Sequence, residues 1–135
     1  MSSSSDTIRR AADAFVYVRG ISGALCVVAP GPMSRGWTAE AARLPGGQLA
    51  VRSLGSREVA LAWGLSRAGT DPDRRRPWLL AAAAADVVDV LGTAWSLRRL
   101  KGGWGSAATI VLGSIAGATQ VAAALAQPAP GGASR

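Results

Sequence analysis

Residues 77–97 read PWLLAAAAADVVDVLGTAWSL. At 1.5 Å per residue, such a helix covers about 30 Å, the thickness of a bilayer's hydrocarbon layer. Placed at about 100° per residue, Ala82, Ala85, Asp86, Asp89, Gly92, Thr93 and Ser96 fall on one stripe. Leu80, Val87, Val88, Leu91 and Trp95 fall on the other. A water-soluble helix turns its bulky apolar side chains to the core. Small and polar side chains toward neighbouring helices, with bulky ones outside, suit a helix surrounded by lipid.

Three further stretches extend this reading. Residues 11–29 end at Pro30-Gly31-Pro32, and residues 48–66 follow Pro45-Gly46-Gly47. Residues 104–126 stop before Gln127-Pro128. Proline in a first turn and Pro/Gly beyond an end are the expected helix boundaries. In the last stretch Ser106, Thr109, Gly113, Ala116, Gly117, Gln120 and Ala124 share one side, opposite Val111, Leu112, Ile115 and Ala118. Gly113 and Gly117 allow another backbone to approach closely. In the first stretch Phe15, Arg19, Ser22, Gly23 and Cys26 cluster, and Gly20-Ile21-Ser22-Gly23 reads as close helix packing. In the second, Ser53, Arg57, Ala60 and Gly64 form the small-residue face, flanked by Arg52 and Glu58. The predicted fold is all-α: four transmembrane helices in an antiparallel bundle, with polar small-residue faces inward. Residues 1–8 and 128–135 are predicted as disordered tails around one domain, 9–127.

Trp37, Trp63, Trp78, Trp95 and Trp104 fall in loops or near predicted helix ends, as in an interfacial aromatic belt. Arg19 within the first apolar stretch, and the stretches after it, argue against a cleaved signal peptide. The competing reading is a soluble Ala-rich bundle. Ala fills 28 of 135 positions, and the overall mean hydropathy is only +0.22.

The chain carries 15 Lys+Arg against 8 Asp+Glu, a net charge of +7. These cations punctuate apolar segments instead of gathering on one helix, which favours membrane-flanking charge over nucleic acid. With four spans, one side carries Arg9, Arg10, Arg67, Arg74, Arg75, Arg76 and Arg135, and the other Arg35, Arg43, Arg98, Arg99 and Lys101. Seven cations against five predict a multi-pass protein of the cell membrane with both termini cytoplasmic. The absence of His excludes histidine-based catalysis, metal ligation and pH switching, and a single Cys26 excludes an internal disulfide.

What remains is carboxylate and arginine chemistry. Arg19, Arg52 and Arg57 balance Glu58, Asp86 and Asp89 within the spans. A charge at mid-bilayer costs at least about 2.5–3.5 kcal/mol, so such residues are functional by default. Asp86 and Asp89, at i and i+3, could share a proton or ligate Mg²⁺. The predicted catalytic residues are Asp86, Asp89 and Glu58. Arg52, Arg57, Arg19, Thr93 and Gln120 are the predicted substrate-binding residues. No cofactor is expected, or Mg²⁺ on Asp86 and Asp89 where the substrate is a diphosphate.

The stretch Arg52-Ser53-Leu54-Gly55-Ser56-Arg57-Glu58, followed by the Asp86/Asp89 helix, resembles small actinobacterial four-helix membrane proteins with an R-x-x-G-x-R-[DE] second helix. More loosely, the chain is similar in kind to small membrane terpene cyclases of bacterial secondary metabolism. That resemblance implies membrane-embedded carboxylates that protonate an isoprenoid. The leading expectation is therefore a membrane enzyme of lyase or isomerase type, acting on an apolar, isoprenoid-type substrate. The alternatives are a proton-coupled transporter subunit and a non-catalytic accessory protein. Small multidrug exporters place a Glu in helix one where this chain has Arg19. The expected partners are membrane lipid and an apolar small molecule, with no nucleic acid; a homo-oligomer is compatible with them.

Overall fold

The computed structural model describes residues 2–38, 43–100 and 104–127. All regular structure among them is helical: α1 (Ser2–Val28), α2 (Pro30–Thr38), α3 (Pro45–Ala68), α4 (Pro72–Leu100) and α5 (Trp104–Leu125). α1 packs mainly against α3 and α4 mainly against α5, and the two pairs meet where α1 touches α5 and α3 touches α4.

Three segments are long and apolar enough to cross a membrane: Asp6–Val28, Pro72–Leu97 and Gly105–Leu125. The expected second span does not reach that standard. α3 is 24 residues long but carries Arg52, Arg57, Glu58 and Arg67.

Polarity is inverted relative to a soluble bundle. Buried positions include Ala82, Ala116, Ala123 and Ala124 together with charged Arg19 and Asp86. Meanwhile Val18, Ile21, Val88, Leu91 and Leu112 are all at least 59% exposed. An apolar surface this extensive would associate in water, whereas lipid solvates it without cost. The stripes expected on the helices around Asp86 and Gln120 are the observed ones. Asp86 and Thr93 are buried while Val87, Val88 and Trp95 face outward, and Ser106 and Gln120 are buried opposite Val111 and Ile115. Gly92, expected inside, is exposed.

The face expected on α3 is corrected. Ser53 and Ala60 are exposed; the inward residues are Val51, Gly55, Leu61, Ala62, Gly64, Leu65 and Ala68. With polar residues on every side of residues 52–58, small size alone was a poor guide to the interior.

The boundaries differ for local reasons. The tail expected at residues 1–8 is helical from Ser2. Pro30-Gly31-Pro32, read as a stop, breaks α1 at Ala29 because a residue before proline disfavours the helical region. The same prolines then open α2, since first-turn residues need no intrahelical donor. Arg74–Arg76, expected in a loop, lie in the first turns of α4. The Asp71 carboxylate starts that helix by accepting the backbone N–H groups of Asp73 and Arg74 (3.0 and 3.4 Å). Pro77, expected as the start, lies inside it. The tail expected at residues 128–135 is outside the described residues.

α1 and α3 cross where glycine meets glycine. A Cβ on Gly55 would sit 2.5 Å from the Gly23 carbonyl oxygen and 2.7 Å from the Cys26 Cβ. Both obstacles are backbone or stem atoms that cannot swing aside. Gly55→Ala should therefore destabilise by about 1–3 kcal/mol, the usual cost of overpacking. Gly92→Ala meets nothing within 4 Å and should be neutral or slightly stabilising. Thermal unfolding of both variants in detergent checks the contrast.

Candidate functional site

Each long helix contributes to one polar cluster, α3 and α4 from near their middles and α5 from its last two turns. On α1, Ala12, Arg19 and Gly23 repeat on the buried side. On α4, Leu79, Ala82, Asp86 and Thr93 do the same, and on α5 Ala116, Gln120 and Ala124. Glu58 follows the α3 stripe through Val51, Gly55, Ala62 and Leu65.

Arg19 is the hub. Its Nη2 donates to both Asp86 oxygens at 2.7 Å, and its Nη1 donates to Glu58 Oε2. Gln120 Nε2 donates to Asp86 Oδ2 at 2.8 Å. On the other side of Glu58, Arg57 donates to Oε1 at 2.9 and 3.2 Å and reaches Asp89 Oδ2 at 2.5 Å. Residues from α1, α3, α4 and α5 are thereby joined in one chain of charge-assisted bonds. Such bonds are stronger where water is excluded.

The structure thus brings together Arg19, Arg57, Glu58, Asp86, Asp89 and Gln120, six of the eight expected site residues. Arg52 is not among them. It is exposed, and its Nε donates to the Val27 carbonyl at 3.2 Å near the end of α1. The expected neutral cluster therefore becomes one of three carboxylates facing two guanidiniums, with one negative charge in excess. Thr93 is buried two turns beyond Asp86, and its hydroxyl finds no partner among the described residues.

Asp86 and Asp89 do not converge on a common ligand, because each is drawn to a different guanidinium. Among the described residues no group of three or more His, Cys, Asp or Glu could hold a metal ion. The Mg²⁺ expected of the pair would have to take each carboxylate from the arginine that holds it, and no third acidic ligand lies among the described residues.

Oxygen by oxygen, the carboxylates are unequal. Among the described residues, both oxygens of Glu58 and both of Asp86 accept hydrogen bonds, whereas Asp89 accepts at Oδ2 alone. A small opening of about 150 Å³ between α1 and α5 reaches the cluster from the outer surface. Phe15, Val18, Leu112, Gly113 and Ala116 line its walls, and Arg19, Glu58 and Asp86 lie at its base. The close packing of α5 on α4 beside it depends on Gly113 and Gly117, which approach Val90 and Asp86.

Two further features were not read from the sequence. Arg75 is buried and joins α1 to the turn before α4, donating to the Gly69 carbonyl at 2.7 Å and to Asp13. It was hidden inside a run of three arginines whose other members are not fully buried. Ser106 and the Gln120 Oε1 are buried without hydrogen-bond partners among the described residues. Comparison with protein-family models, curated proteins and solved structures finds no match to this chain.

Proposed function

We propose that the chain is a multi-pass integral membrane protein, an antiparallel four-helix bundle whose ionic cluster is the acid site of an enzyme. Its substrate is apolar and isoprenoid-like, drawn sideways from the bilayer. α3 crosses with the other three helices because Arg57 and Glu58, which keep it from being apolar enough alone, are paired inside the cluster. The observation that carries the reading is the opening between α1 and α5. Its walls are apolar and its base holds two carboxylates.

The chemistry follows from charge balance. A surplus negative charge in a low-dielectric interior is costly, and one bound proton removes it. Glu58 and Asp86 line the opening and Asp89 does not, so the proton used in the reaction is one held on Glu58. Arg57 stays charged and has no acceptor, so it passes no proton itself; it holds Glu58 and Asp89 in place. Transfer of the proton to a substrate double bond breaks the acid O–H bond, forms a C–H bond and leaves a carbocation. Loss of a proton from the rearranged cation returns it to the carboxylate, so the net reaction is an isomerisation. Asp86, held by Arg19 and Gln120 at the base of the opening, lies beside the cation, where carboxylate charge stabilises the intermediate.

Glu58→Gln and Asp86→Asn should each abolish turnover while the protein still accumulates in membranes. Comparison of membrane-extracted metabolites from a deletion strain complemented with each variant reads this out. A metabolite profile that both variants restore fully would overturn the reading. The non-catalytic accessory reading is favoured by a specific observation: all four oxygens of Glu58 and Asp86 are bonded to the rest of the cluster, as in a purely structural clamp.

A further inference from the structure

At the end of the helices where α1 gives way to α2, a cavity of about 420 Å³ is lined by Arg35, Arg43, Arg52 and Gln48, together with residues 28–32. No carboxylate lines it among the described residues. Among the described residues none of the three arginines has an acidic partner. The opposite end of the helices is built differently. There Arg9 pairs with Asp6, Arg74 with Asp71 and Arg75 with Asp13. Three guanidiniums around one cavity repel one another unless an anion sits between them.

The surroundings specify the kind of anion. Val28 is the last residue of the apolar segment of α1 and lines the cavity while 74% exposed. Met33, Leu44 and Leu49, from the same end, are also exposed. The cavity thus lies where a hydrocarbon layer gives way to headgroups, with cations in the basin and apolar side chains nearby. Guanidinium forks match phosphate oxygens bidentately, which a lysine ammonium cannot do.

We propose that this cavity binds the phosphate group of an amphiphile, with Arg35, Arg43 and Arg52 holding the phosphate oxygens while the apolar tail lies along the lipid-facing surface. The same chemistry is offered by an anionic phospholipid and by a prenyl diphosphate. The proposal does not depend on the enzyme reading, since binding here can occur without turnover.

The test is calorimetric titration of the purified full chain in detergent. The probes are short-chain phosphatidic acid, geranyl diphosphate, inorganic pyrophosphate and short-chain phosphatidylcholine. At least one of the first two should bind, and Arg35→Gln/Arg43→Gln should weaken it tenfold or more. Arg52→Lys, which keeps the charge but loses the fork, should weaken it less. Arg74→Gln/Arg76→Gln, at the other end, should leave it unchanged. Stronger binding of phosphatidic acid identifies a membrane lipid as the source, and stronger binding of geranyl diphosphate a prenyl substrate. Equal binding of phosphatidylcholine, equal binding of pyrophosphate alone, or an equal loss in the Arg74/Arg76 variant would overturn the proposal.

Discussion

Replacing Arg19 by methionine should largely remove the protein from membranes, the largest single-residue effect expected here. Arg19 is 6% exposed and is bonded to both Asp86 and Glu58. Its loss leaves three carboxylates against Arg57 alone. Breaking a buried ion pair by removing one partner costs about 3–5 kcal/mol, because the remaining charge is left without compensation. Replacing both partners by apolar residues is often neutral. Arg19→Met/Asp86→Leu should therefore recover most of the lost accumulation, although Glu58 still needs Arg57. Immunoblots of carbonate-washed membranes measure both. If the single variant accumulates normally, Arg19 is not the hub of the cluster. If the double variant recovers in amount but not in metabolite output, the cluster has a role beyond holding the helices together.

The second large effect concerns the outer surface. Val88 is 63% exposed on α4, whose apolar segment has a mean hydropathy of only 1.4. In water, Val88→Asp would replace an exposed apolar group with a charged one, and surface changes of that kind rarely exceed about 0.5 kcal/mol. In lipid, the same change costs about 2.5–3.5 kcal/mol, with no neighbour to share the charge. Membrane accumulation of Val88→Asp should fall sharply. Ser53→Asp, on an exposed position of α3, should fall much less if Arg52 and Arg57 can neutralise it. Fractionation of cells expressing each variant separates the two solvents.

The contrast between α4 and α3 explains how much of the architecture was legible. On α4 and α5 the bulky and small residues segregate cleanly, so a 3.6-residue period finds the buried side, including Asp86 and Gln120. On α3 the polar residues surround the helix, and periodicity offers no contrast. The separation of Arg52 from Arg57 was nonetheless accessible by arithmetic. Five residues turn a helix through about 500°, which leaves the two side chains roughly 140° apart. They could not both face one cluster. The partners themselves were not legible, because Arg19 and Asp86 are 67 residues apart in sequence. Nothing in either local pattern says which carboxylate a buried arginine will choose. The extra helix α2 was missed for a different reason. A proline pair serves equally to end one helix and to begin the next.

Every functional statement above depends on the cluster lying within a bilayer, and site-directed spin labelling measures that most directly. Cys26 is a free cysteine, so a Cys26→Ser background allows single labels at Val18, Val88 or Leu112. All three are at least 59% exposed, and their positions flank Arg19, Asp86 and the opening between α1 and α5. After reconstitution into lipid vesicles, each label should collide readily with dissolved oxygen, which partitions into hydrocarbon, and poorly with a water-soluble nickel chelate. Ready collision with the nickel chelate at all three positions would place this surface in water and contradict the account.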